Sequence, residues 1–141
     1  HSDSEQLGIP ETSYIATVSL TSAEYRRICS DMSTLGDTIS IGISREELKF
    51  EIDGDIGKGN IVIRQNLKED QEEESDIFEV SEPIRMSFSL KYLMNFSKGA
   101  PLCEKVIFRM SNDVPLQVEF KINKIGYLRY YLAPRMNDGI Q

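Results

Sequence analysis

Hydrophobic residues in this chain recur mostly at every second position. That is the period of a strand, whose side chains alternate between two faces. Tyr14, Ala16, Val18 and Leu20 share one face, as do Ile39, Ile41 and Ile43, then Leu48, Phe50 and Ile52, with polar residues mostly between them. Further alternating runs cover Asn60 to Gln65, Asp76 to Val80, Ile84 to Ser89, Lys105 to Met110, Leu116 to Asn123 and Gly126 to Leu132, which gives nine predicted strands. Ser44-Arg45-Glu46, Asp53-Gly54-Asp55 and Asn112-Asp113-Val114-Pro115 supply turn chemistry between them.

Two segments break the alternation. Thr21-Ser22-Ala23-Glu24 has the spacing of a capping box, and Tyr25, Ile28, Met32 and Leu35 follow at helical intervals, with Gly36 expected to stop the helix. Leu90 to Ser97 predicts a shorter helix with Leu90, Leu93, Met94 and Ser97 on one face. The predicted order is strand, helix, five strands, helix, three strands. It implies an α+β fold, with antiparallel sheets and both helices packed on one side.

With 141 residues and 40% hydrophobic content, the chain can build one core without metal or disulfide staples. Its formal charge of −7 excludes a protein that is basic overall, and the charge is uneven. Lys68 to Asp76 holds six acids against one lysine, as expected of a solvated loop. Cys29 and Cys103 are the two cysteines, without ligand spacing, so neither a zinc site nor a disulfide framework is indicated and a reducing compartment fits. No apolar run reaches the roughly 20 residues of a membrane span, and no signal-peptide core is present.

The helices carry charge of the other sign. At about 100° per residue, Arg26, Arg27, Ser30 and Thr34 fall opposite the Tyr25/Ile28/Met32 stripe, with Glu24 and Asp31 toward its flank. Lys91 and Lys98 nearly eclipse one another on the second helix. Two such helices side by side would make a positive surface suited to phosphates at low sequence specificity. Two proline-ended apolar segments, Leu7-Gly8-Ile9-Pro10 and Tyr130-Tyr131-Leu132-Ala133-Pro134, read either as an ordinary linker and strand end or as strand borders where an extended peptide can dock.

Enzymatic chemistry finds little purchase. Gly54-Asp55-Ile56-Gly57-Lys58-Gly59 meets neither glycine-rich phosphate motif and runs into Ile61-Val62-Ile63, a strand, so a hairpin turn is expected there. Asp53 and Asp55 are not continued by a calcium-loop ligand series, and no serine sits in a nucleophile-elbow motif. The lone histidine is His1. No cofactor and no metal are expected.

Taken in order, Leu7-Gly8-Ile9-Pro10-Glu11, Arg27-Ile28-Cys29, Gly59-Asn60-Ile61, Leu93 to Lys98 ahead of Ala100-Pro101-Leu102, Asp113-Val114-Pro115-Leu116 and Tyr130 to Arg135 form one set. The set resembles the C-terminal half of the proliferating cell nuclear antigen family, the DNA sliding clamps. The resemblance implies a homotrimeric ring of two-domain subunits, with helices lining the hole and sheets forming the wall. It makes Arg26, Arg27, Lys91 and Lys98 DNA-facing, against the backbone of double-stranded DNA. It makes Leu7, Ile9, Pro10, Tyr14, Val114, Pro115, Tyr131, Leu132, Ala133 and Pro134 a pocket for PIP-box peptides of polymerases, ligases and nucleases. Gly59, Asn60, Ile61, Val62 and Ile63 would pair with the neighbouring subunit, and Gly126 to Leu132 with the subunit's first domain.

On this resemblance, residues 1–13 are a terminal remnant and the interdomain connector, 14–135 a single clamp domain, and 136–141 a flexible tail. A nuclear, non-enzymatic processivity factor for replication and repair follows. Counterparts of the family's N-terminal domain are not among these residues, so both pairing edges are expected bare, prone to self-association, and Tyr131 and Leu132 more exposed than in an intact clamp. Arg45 stands where the family has a modifiable lysine, and Ser30 where a basic residue is common. A checkpoint-clamp subunit is the alternative within the fold. Outside it stand an acid-dependent hydrolase, which needs paired carboxylates of raised pKa, and a lipid or small-ligand carrier, which needs a cavity inside the sheet.

Overall fold

Each predicted strand forms, and the nine divide between two antiparallel sheets that face one core. The computed structural model describes residues 13–64, 77–98, 103–122 and 126–135. In chain order the elements are β1 (Ala16–Thr21), α1 (Ser22–Ser33), β2 (Thr38–Ile43), β3 (Glu47–Asp53), β4 (Lys58–Arg64), β5 (Phe78–Val80), β6 (Ile84–Ser89), α2 (Leu90–Phe96), β7 (Lys105–Met110), β8 (Leu116–Ile122) and β9 (Gly126–Leu132). One sheet has the order β5-β1-β7-β8-β9 and the other β4-β3-β2-β6. The acidic run and the segment containing Leu7, Ile9 and Pro10 lie outside the described residues, as does the expected tail at 136–141.

The connectivity repeats itself with the sheets exchanged. β1 lies in the first sheet and leads through α1 to β2, β3 and β4 of the second; β6 lies in the second and leads through α2 to β7, β8 and β9 of the first. β1 pairs with β7, and β6 with β2, so each unit's lone strand joins the other unit's triplet. The last strand of each triplet, β4 or β9, is left at a sheet edge. Among the described residues no strand pairs with the outer side of either.

Period-two patterning sets the core. Ile39, Ile41, Ile43, Leu48, Phe50 and Ile52 of the second sheet are at most 3% exposed, as are Val18, Phe108, Val118 and Phe120 of the first. Phe50 meets Phe108 edge-on across the sheets with centroids 6.2 Å apart. Tyr25 of α1 meets Phe108 and Phe120 in the same manner, each at 5.8 Å. Full burial of side chains this size is worth roughly 1.5–3 kcal/mol each, so the ring cluster is a main source of stability.

The helix start matches its sequence signal and the helix end does not. Thr21 accepts from the Glu24 N–H through its hydroxyl, while the Glu24 carboxylate accepts from the Thr21 N–H, both at 3.0 Å. At the other end the cap is Thr34 in a right-handed conformation, and the Leu35 N–H donates to the Met32 carbonyl. Gly36 lies two residues beyond that cap without a left-handed conformation, and a Cβ there would lie 3.4 Å from the Gly54 Cα of the β3–β4 turn.

Candidate functional site

Tyr14 precedes β1 and Tyr131 lies on β9, at opposite ends of the described chain. Antiparallel pairing brings them together. β7, β8 and β9 are adjacent in that order, and their register sets Arg109 opposite Gln117 and Gln117 opposite Tyr131. Leu116, Val118 and Phe120 point inward to the core, so Gln117 and Glu119 point outward from the same strand. On an open sheet face they would be solvated, yet Gln117 is 6% exposed and Glu119 is 3%.

Their neighbours cover them and satisfy them. The Gln117 Nε2 donates to the Tyr14 hydroxyl at 3.4 Å and to the Tyr131 hydroxyl at 3.3 Å. Its Oε1 accepts from the Arg109 Nη1 at 2.6 Å. The same guanidinium nitrogen donates to the Glu119 Oε1 at 2.8 Å, and the Arg129 Nε reaches that oxygen at 2.9 Å. Arg129 in turn sits over the Tyr127 ring, 4.2 Å from its centroid. Burial pushes the Glu119 carboxyl upward, but its hydrogen bonds and charge pairing with Arg109 and Arg129 outweigh that and hold it below the usual range. It is the reverse of the raised carboxylate that an acid-dependent hydrolase requires.

Other expected peptide-site residues surround this cluster unevenly. Pro115 and Ala133 are exposed, Val114 and Pro134 half-buried, and Tyr131 is 55% exposed. Leu132 is different. At 9% exposure it belongs to the core, because β9 turns Tyr130 and Leu132 inward and Tyr131 outward. Tyr130 stacks on Phe96 of α2 with centroids 4.4 Å apart.

The expected DNA-facing cations are all exposed: Arg26 and Arg27 on α1, Lys91 and Lys98 on and just beyond α2. The helices pack against each other, and the Tyr25 hydroxyl donates to the Leu93 carbonyl. Arg27 shares a groove of about 620 Å³ with Glu24, Asp31 and Ile61 to Ile63, between α1 and the β4 edge. The expected subunit-pairing residues Gly59, Asn60, Ile61, Val62 and Ile63 form the body of that edge strand, with Val62 exposed. Arg45, in the β2–β3 turn, donates to the Val80 and Ser81 carbonyls at 3.3 and 3.2 Å, which ties the second sheet to the end of β5.

Sequence patterning could not single out Arg109, Gln117, Glu119 and Arg129. Each occupies an outward strand position of the kind normally left to solvent, and the one signal, two arginines on strands flanking an outward Gln and Glu, appears only once the register is known. Cys29 was legible only as a residue without ligand spacing. It is 4% exposed, and burial pushes its thiol up to about 12, so it packs as a small apolar group. No group of three His, Cys, Asp or Glu side chains among the described residues is arranged to hold a metal ion. No helix of the described residues is long and apolar enough to cross a membrane.

Comparison with known protein families gives a match to the family described as proliferating cell nuclear antigen, C-terminal domain. The match covers residues 8–135, from the segment before Tyr14 through the end of the described chain.

Proposed function

This chain belongs to the proliferating cell nuclear antigen family, as its C-terminal domain, and from that premise we propose that it works in a ring that encircles double-stranded DNA and tethers PIP-box proteins. The family is one of sliding clamps, scaffolds that serve DNA replication and repair. In the proposed role the protein performs no chemistry of its own. Polymerases, ligases and nucleases held on a ring around DNA gain a high effective concentration at their substrate.

The observation that carries this reading is the convergence of Tyr14 and Tyr131 on Gln117. It brings the segment that enters the domain beside the strand that ends it. Two aromatic rings then stand next to exposed Pro115 and Ala133 and half-buried Val114 and Pro134, an apolar border of the kind that an extended peptide covers. Leu7, Ile9 and Pro10 would complete that border from the connector. Two further features agree. Open edges at β4 and β9 give the domain two places to pair, as a closed ring of repeated domains requires, here a homotrimer. Exposed Arg26, Arg27, Lys91 and Lys98 on two adjoining helices give a positive surface in a chain of net charge −7, suited to the phosphate backbone. A nuclear location goes with this role.

A fluorescence titration with a peptide carrying Gln, an aliphatic residue three positions on and two terminal aromatics tests it. Binding by the wild-type chain, weakened in Tyr131→Ala, is the expected result. Equal affinity for both proteins would remove the peptide-site assignment.

A further inference from the structure

Past Leu132 the chain leaves one sheet for the other. Leu132 is the last residue of β9, paired with Leu116 of β8 and with its side chain in the core. Three residues on, the Arg135 N–H donates to the Ser87 carbonyl of β6 at 2.7 Å, and the Arg135 Nη1 donates to the Thr38 Oγ1 of β2 at 3.1 Å. Thr38 lies opposite Ser89 and Ser40 opposite Ser87, so the two ties land within two rungs of each other on the second sheet. Ser87 is itself fixed there, its hydroxyl 3.1 Å from that of Ser40.

Between these fixed points lie Ala133 and Pro134, the end of the apolar border assigned to the peptide. Three residue steps span at most about 11 Å, which leaves the stretch little slack. It has few other means of staying in place, since proline carries no N–H to donate and Ala133 is exposed. One hydrogen bond at Arg135 would act as a pivot, whereas two bonds to different strands fix a direction. Arg135 and Thr38 are both exposed and stand outside the border itself. The side-chain tie can therefore be cut without cutting the backbone tie or removing a residue of the border.

We propose that Arg135 is a positioning residue for the peptide site, with Thr38 as its latch. Together they hold Ala133 and Pro134 in the conformation that a peptide meets, which lowers the ordering cost of binding. Apparent affinity scales with the fraction of the protein already in the competent conformation, so opening the latch weakens binding although no peptide contact is removed. The inference rests on the peptide-site reading above and adds to it a part drawn from the other sheet.

A peptide carrying Gln, an aliphatic residue three positions on and two terminal aromatics is titrated against the full chain and its variants, each checked for folding by thermal melting. Thr38→Val keeps the shape of the side chain and removes the acceptor; Thr38→Ser keeps the acceptor. Thr38→Val weakens binding by about three- to tenfold, the worth of one hydrogen bond, and Thr38→Ser stays within about twofold of wild type. Arg135→Met, which loses the donor and keeps the backbone tie, shows the same loss as Thr38→Val. The double variant Thr38→Val/Arg135→Met is no worse than either single one, because both open one latch. Arg135→Met and Thr38→Ser decide the matter if the valine variant does not fold. Wild-type affinity in the folded Thr38→Val or Arg135→Met chain, an equal loss in Thr38→Ser, or losses that add in the double variant overturn this inference alone. Failure of the peptide to bind wild type overturns the peptide-site reading and this inference with it.

Discussion

The Tyr25 hydroxyl donates to the Leu93 carbonyl oxygen at 2.6 Å, so one buried side chain of α1 is fastened to the backbone of α2. The same carbonyl also accepts from the Ser97 N–H at the end of α2. Removing the hydroxyl therefore leaves no orphaned acceptor, and the ring keeps its contacts with Phe108 and Phe120. Tyr25→Phe should cost roughly 1 kcal/mol in urea unfolding, the net worth of one buried hydrogen bond. A loss below the error of the measurement would mean that the helix pair is held by packing alone.

A backbone contact makes Gly54 far less replaceable than its neighbour Gly57. A Cβ on Gly54 would fall 1.7 Å from the Leu35 carbonyl oxygen, where no side-chain rotation relieves the clash, whereas one on Gly57 would lie 3.5 Å from the tip of Leu35. Gly54→Ala should destabilise by at least the roughly 1–3 kcal/mol typical of overpacked sites, and Gly57→Ala by much less. Chemical denaturation of the two variants side by side checks the difference.

These two contacts show where the sequence stops being informative. Strands and helices follow from residues close together in the chain: the period-two runs at Ile39 to Ile43 and Leu48 to Ile52, and the Thr21/Glu24 capping pair, are local signals that the fold obeys. The end of α1 is not local. It meets a turn nearly twenty residues on, where the Leu35 carbonyl leaves no room for a Cβ on Gly54, and no pattern near Gly36 signals that contact. The same holds at the site. Tyr14, Pro115 and Tyr131 stand out as aromatic or proline residues at strand borders, whereas Gln117 and Glu119 look like solvated positions until cross-strand neighbours cover them to 6% and 3% exposure. Leu132 likewise reads as part of an exposed apolar border, yet strand alternation sends it into the core.

The Glu119 carboxyl links stability to acid. Its folded pKa lies below the ordinary 4.5 because the paired arginines outweigh burial. A depressed folded value means that the carboxylate's stabilisation is fully present above about pH 4.5 and is lost as pH falls through the folded pKa. Wild type should accordingly exceed Glu119→Gln in urea midpoint at pH 7, and the gap should narrow on acidification to about pH 3. A gap independent of pH would show that the Arg109 and Arg129 contacts do not depend on the charge of Glu119.

Adjacent residues on β9 separate folding from binding. Leu132 is 9% exposed within the core and Tyr131 is 55% exposed on the other face. Leu132→Asp buries a carboxylate where an alkyl group packs, and should cost at least the about 2–5 kcal/mol of a buried Leu→Ala change. Tyr131→Ala gives up a long hydrogen bond from Gln117 and the packing of a ring that is 55% exposed, and should cost about 1–2 kcal/mol, while weakening peptide binding by about tenfold or more if it is an anchor. Thermal melts and titrations of both variants check the split. An unfolded Tyr131→Ala chain would instead make that ring a fold determinant.

The two arginines of α1 should not contribute equally to DNA binding, although both are exposed. Residues three and four apart on a helix are surface neighbours, and Arg27 has Glu24 before it and Asp31 after it at those spacings. All three line the same groove beside β4. Arg26 has Ser22 and Ala23 before it and Cys29 and Ser30 after it, with no acid among them. The field of Arg27 is therefore partly cancelled before a phosphate arrives, and that of Arg26 is not. Each cation that neutralises a phosphate adds about 0.9 to the dependence of log affinity on log salt. Anisotropy titrations of duplex DNA at several salt concentrations should show a slope reduced by nearly that amount in Arg26→Ala and by clearly less in Arg27→Ala. Losses of equal size would mean that the acids flanking Arg27 are drawn away from it on binding, and a larger loss for Arg27→Ala would place the DNA nearer the β4 edge than the exposed face of α1 implies.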